Sequence, residues 1–182
     1  WWLAEHCSEH VAAIIGIAPG SPANLLPILP DDPKAISLLQ HDPGAGFPVY
    51  SKPGEPVTVD ANFIQAFWAN SPLFPIENLQ EYARTVVPES PRLLNERFNI
   101  GGKGLRLSPV HQVGMRPVLI LTGELDLRHP RPTDEALARY LGADYIWLPD
   151  VGIKGNGHML MLETNSDAIA GVLTRWLQTK GY

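Results

Sequence analysis

Three short apolar runs constrain this chain more than any other feature. They are Val11-Ala12-Ala13-Ile14-Ile15-Gly16-Ile17, Val118-Leu119-Ile120-Leu121-Thr122-Gly123 and Ala143-Asp144-Tyr145-Ile146-Trp147-Leu148-Pro149. Each has strand length, and a run apolar on both faces suits a central strand of a parallel sheet with helices on each side. Helical patterns flank them. Trp1 to Glu9 reads as the end of a helix, and Thr133 as the cap of a helix over Asp134 to Leu141, with Gly142 as its stop. Asn165 or Ser166 opens a closing helix with Ala168, Ile169, Val172, Leu173, Trp176 and Leu177 on one face. The fold class is therefore α/β.

The segment between the first two runs has a different character. Prolines recur at positions 22, 27, 30, 33, 43, 48, 53 and 56, so neither a long helix nor a central strand crosses it. Short helices are expected within Asp32 to Gln40, over Ala61 to Asn70 behind an Asp60 cap, over Glu77 to Val86, and from Ser90-Pro91 toward Phe98. This divides the chain into a core portion, residues 1–20 and 110–182, and a helical, proline-rich cap or lid insertion, residues 21–109. An ordinary helical insertion packed on the sheet accounts for the same pattern.

Composition removes several classes of function. A net charge of -5 gives no electrostatic reason to expect a nucleic-acid partner, and no apolar run is long enough to span a membrane. The single cysteine, Cys7, excludes an intrachain disulfide and a cysteine-based metal cluster. His6, His10, His41, His111 and His129 form no metal-like spacing, so they read as surface or structural histidines and no metal or cofactor is implied. Gly101-Gly102-Lys103-Gly104 lacks the spacing and the preceding strand of a phosphate loop.

Chemistry concentrates at the ends of the second and third runs. Val151 to Glu163 is a loop with Gly152, Gly155 and Gly157 around His158, able to turn sharply and aim an imidazole into a cleft. A polar bystander before a helix is the alternative role for His158. Asp126 stands just beyond the second run, and adjacent parallel strands would bring both side chains to one sheet edge. A carboxylate beside an imidazole fixes its tautomer and stabilises the imidazolium formed when it takes a proton from a nucleophile. Glu124 competes for that place, and Asp126 as a mere turn cap is the other option.

The order strand, Gly123-Glu124-Leu125-Asp126, helix, strand, glycine-rich loop, His158, final helix resembles the C-terminal part of the α/β-hydrolase fold. Gly155-Asn156-Gly157-His158-Met159, with Met161 and Glu163, looks particularly like a group of esterases with such a histidine loop. The resemblance covers roughly residues 1–20 and 115–180. It implies a serine-type carboxylic ester hydrolase working through an acyl-enzyme, with His158 as base and Asp126 as acid, since Gly-x-x-Asp after the strand is the commoner arrangement. Some esterases of this kind carry the acid in a Glu-Pro-Gly setting after the preceding strand. Ala18-Pro19-Gly20 occupies that place here, with alanine for the carboxylate.

The resemblance also implies a nucleophile in a Gly-x-Ser-x-Gly turn a few residues before Trp1, and no such motif occurs in the 182 residues. The expected partner is accordingly an N-terminal portion or a second chain carrying the serine, and the expected ligand a small-molecule ester. Phe67, Trp68, Phe74 and Met159, with Phe47, Tyr50 and Phe63 nearby, would line an apolar acyl or alcohol pocket, although packing alone explains the aromatic residues equally well. A non-catalytic subunit or interaction module of the same architecture is the rival reading. Glu163, near the start of the final helix, is expected to favour the helix dipole.

Overall fold

The computed structural model describes residues 1–37, 50–109 and 113–182. His41, Phe47 and His111 lie outside the described residues. At the centre are β1 (Ile14–Ile17), β2 (Val118–Thr122) and β3 (Asp144–Trp147), parallel and in that order across the sheet. Ile14 stands opposite Val118, and Leu119 opposite Asp144.

Alternation along β2 explains both layers of the core. Val118 and Ile120 face a cluster built with Leu137, Ala138 and Leu141 of α6 (Arg131–Leu141). Leu119 and Leu121 face the opposite cluster, with Ile169, Val172 and Trp176 of α7 (Ser166–Thr179). All five β2 residues are buried, as a strand covered on both faces must be. β1 and β3, with one paired neighbour each among the described residues, are only partly buried.

The strands are shorter than the apolar runs that announce them. β1 begins at Ile14 because Ser8–His10 forms a 3-10 turn just ahead of it. β3 ends at Trp147, where Leu148–Val151 turns with Pro149 in its first positions. α6 starts at Arg131, ahead of the expected Thr133 cap, and ends on Gly142 in the left-handed conformation at φ 67°. α7 buries Ile169, Val172 and Trp176 as expected, but Ala168 is exposed.

Before β1 lies α1 (Trp2–His6), anchored by Trp1, whose Nε1 donates to the Gly20 carbonyl at 2.8 Å. The middle of the chain contributes α2 (Pro33–Ser37), α3 (Ala61–Phe67), α4 (Leu79–Thr85) and α5 (Pro91–Arg97). Asp60 caps α3 as expected, its Oδ1 accepting the Phe63 N–H at 2.8 Å. Ile64, Ala69, Phe74 and Leu79 form a third buried cluster, separate from the two sheet faces. No helix among the described residues is long and apolar enough to cross a membrane.

Candidate active site

The site sits where β2 and β3 run out at the same edge of the sheet. Beyond β2, Gly123 leads into Glu124-Leu125-Asp126; beyond β3, the histidine loop folds back across that strand end. The approach is so close that a side chain on Gly123 would meet the carbonyl oxygens of Asn156 at 2.6 Å and Gly157 at 2.8 Å. Only a residue without Cβ permits it. Two bonds then tie the loops together: Leu125 N–H donates to the Asn156 carbonyl at 2.8 Å, and Gly155 N–H to Glu124 Oε2 at 2.9 Å.

This juxtaposition delivers His158 to Asp126. The imidazole Nδ1 lies 2.9 Å from Asp126 Oδ2, whose side chain is fully buried, whereas the His158 side chain keeps 17 % of its surface exposed. Desolvation pushes the Asp126 pKa up, but the hydrogen bond and charge of His158, the charge of His129 and the Arg128 N–H outweigh it. The result lies below the ordinary aspartate value, so the carboxylate is ionised at neutral pH. In the neutral imidazole the tautomer that donates from Nδ1 to this carboxylate has its lone pair on Nε2. Among the described residues Nε2 has no hydrogen-bond partner. Glu124, the competing carboxylate, is exposed and bonded to Gly155 instead.

A cushion of polar groups fixes the loop from below and above. Glu163 is buried and accepts from Gly157 N–H at 2.8 Å and from Asn156 Nδ2 at 2.5 Å. It thus braces the histidine loop, in place of the helix-dipole role its sequence position suggested, because it precedes α7 by a short turn and faces inward. Burial raises its pKa, against the opposing bonds from Gly157, Asn156 and Ser71. From α3's far end, Asn70 Oδ1 accepts the His158 N–H at 3.2 Å while its Nδ2 donates to the Leu125 carbonyl at 2.7 Å. Ser71 Oγ donates to the Gly155 carbonyl at 2.7 Å.

His129 is neither on the surface nor remote from the site. It is buried, its ring stacks on that of His158, and its Nδ1 lies 3.2 Å from Asp134 Oδ1. Asp126, His129 and His158 thus bring three ligand-type atoms within 4.8 Å of one another, a cluster that spacing along the chain concealed. Nδ1 of each histidine is engaged in a bond to an aspartate, and a cation ligated by Asp126 Oδ2 and His158 Nδ1 would have to break one of them.

A cavity of about 450 Å³ opens beside His158. Of the residues expected to contact substrate, Trp68 and Met159 line it. Phe67 and Phe74 are not among its lining residues: Phe67 packs on Phe63 at 4.9 Å between ring centres, and Phe74 is buried against Tyr82 in the helical cluster. Arg97 and Arg128 also border the cavity. Sequence reasoning passed over both, and over Asn70 and Asn156, because an isolated arginine or asparagine has no periodic signature.

Two solved structures have this arrangement of elements. A methylesterase from Arabidopsis superposes with a TM-score of 0.57 at 12 % identity, over 96 % of this chain and 62 % of its own. A variant of polyneuridine aldehyde esterase superposes with a TM-score of 0.58 at 17 % identity, over 95 % of this chain and 65 % of its own. The chain has the α/β-hydrolase fold. It spans less than two thirds of the length of either hydrolase-fold structure, and its three-stranded sheet corresponds to a C-terminal part of that fold. No family model and no curated protein matches the sequence. Within the hydrolase fold, the C-terminal edge of the sheet is where ligands bind, and Asp126 and His158 both stand there.

Proposed function

We propose that this chain supplies the acid–base half of a serine-type carboxylic ester hydrolase. One observation carries the reading: a buried, ionised Asp126 bonded at 2.9 Å to the Nδ1 of an imidazole whose other nitrogen has no partner among the described residues. In this mechanism a serine hydroxyl from outside these 182 residues, on an N-terminal portion or a second chain, attacks the ester carbonyl. His158 Nε2 takes the hydroxyl proton and passes it to the departing alcohol. It then takes a proton from water, which attacks the acyl-enzyme, and returns that proton to the serine oxygen as the acid is released. Asp126 holds the ring in the productive tautomer and stabilises its cationic form. The helical segment, residues 21–109, acts as a cap that supplies the wall of the cavity, with Trp68 against the substrate. The substrate is a small ester.

The test is to label the assembly containing this chain with a serine-directed fluorophosphonate and to assay hydrolysis of an activated ester. Labelling of one serine, with turnover abolished by His158→Ala, is expected. Absence of a labelled serine in any associated polypeptide would sink the proposal. A non-catalytic module is the second reading, favoured by Trp2 and Leu3, which stand 51 % and 63 % exposed on α1, just ahead of strand β1 at the margin of the described sheet.

A further inference from the structure

The cavity beside His158 contains a positive charge that its walls do not neutralise. Valines, Trp68, Leu94 and Met159 make most of the lining apolar, yet Arg97 lines it too. Arg97 ends α5, and its Nε stands 3.9 Å from where a side chain on Gly20 would begin, over the loop that leaves β1. Among the described residues its guanidinium has neither an ion-pair nor a hydrogen-bond partner, and the surrounding walls lower its pKa from the usual arginine value. Arg92, on the same helix, is by contrast paired with Glu96. Glu89 is the carboxylate that shares the cavity, but its Oε1 accepts the Ser90 N–H at 2.8 Å at the start of α5. Arg128 adds a second guanidinium to the lining.

Arg97 is an exposed residue, so water reaches its charge; what it offers the cavity is an unpaired planar fork of donors beside apolar walls, a geometry that matches a carboxylate. Resting on the ester-hydrolase reading of this site, we infer that the substrate carries a carboxylate of its own, held by Arg97 while the ester group lies at His158. The substrate class is a hemi-ester: an apolar segment with an ester at one end and a free carboxylate at the other. In its hydrolysis the acyl–oxygen bond breaks, the oxygen of water joins the acyl carbon, the alcohol leaves with a proton, and the remote carboxylate is unchanged.

Binding tests this without requiring turnover. Monomethyl adipate and dimethyl adipate, titrated into the 182-residue chain by NMR, differ in one carboxylate. The hemi-ester should bind about tenfold tighter or better. Arg97→Gln should bring the ratio to about one, with the melting temperature measured alongside. Equal affinities in the native chain, a preference that survives Arg97→Gln, or one lost only in Arg128→Gln overturns the assignment. Should Arg97→Gln melt early, salt decides: a native preference that does not shrink as salt is added is not an ionic contact and overturns it too. The two readings fail separately. A chain that prefers the hemi-ester but belongs to no ester-cleaving assembly loses the catalytic reading, whereas cleavage of neutral esters without anion preference removes the carboxylate site alone.

Discussion

His129 and His158 lie ring over ring, their centres 5.7 Å apart and their planes 13° from parallel. Each ring is bonded through Nδ1 to a different aspartate, His158 to Asp126 and His129 to Asp134, so two histidine–carboxylate pairs are stacked against each other at the end of the sheet.

The lower pair should be structural in its energetics. Asp134 has no exposed surface, and His129→Leu strips its Oδ1 of a partner. Leaving such a group unsatisfied costs about 1–3 kcal/mol. Chemical denaturation of His129→Leu, Asp134→Leu and the double variant should show the double loss well below the sum of the singles. Strict additivity would mean that the two side chains do not interact.

Asp126 and Glu124 should separate cleanly. In the proposed hydrolase assembly, Asp126→Asn should lower kcat by on the order of 10³-fold or more, because an amide cannot hold the His158 tautomer as a carboxylate does. Glu124→Gln still offers an oxygen to Gly155 and should cost less than about tenfold in kcat. The reverse ranking would transfer the acid role to Glu124.

The same carboxylate has a signature in stability. Its folded pKa lies below its ordinary value, so the stabilisation it provides is present above that ordinary value and is lost as pH falls through the folded one. Melting temperatures of native chain and Asp126→Asn should therefore converge as pH falls below about 4. A gap that stays constant between neutral and acid pH would contradict the depressed pKa.

Glu163 has the opposite sign. Burial raises its pKa, so the folded state holds its proton more tightly than the unfolded chain, and stability is lost as pH rises from the ordinary glutamate value through the folded one. Glu163→Gln removes that titration. Its melting temperature relative to the native chain should rise between pH 4 and pH 7, whatever the absolute offset from the changed bond to Asn156. A relative fall over that interval would refute the raised value.

Gly123 allows a direct steric test. Gly123→Ala places a methyl against the Asn156 and Gly157 carbonyls, and at 2.6 and 2.8 Å one of the two loops must move. A loss of about 1–3 kcal/mol is expected by analogy with overpacking, with altered NMR shifts at His158. Unchanged stability and shifts would mean that the loops do not approach as closely as described.

Much of this was legible in the residues. β2 announced itself because all five of its side chains are buried, so its run is apolar from Val118 to Leu121 and only Thr122 at its end is polar, and the apolar stripe of α7 placed that helix on the sheet. Asp126 and His158 could be paired because parallel strands release their following loops at one edge. Ends of elements were less visible: β3 stops before Leu148 because Pro149 favours a turn, a local choice that hydrophobicity does not encode. The roles of His129 and Glu163 were hidden for a different reason. Each depends on contact between loops distant along the chain, and neither lies in a periodic pattern. The arginines of the cavity were invisible for the same reason.

Asn70 has a further consequence. Its one amide accepts from the backbone of His158 and donates to the carbonyl beside Asp126, so the two members of the pair share a single clasp belonging to the helical segment. A displacement of that clasp pulls on His158 and the Asp126 loop together. Whatever fills the cavity and presses on the helical segment therefore has a mechanical line to the spacing of His158 and Asp126, through an amide that touches neither side chain.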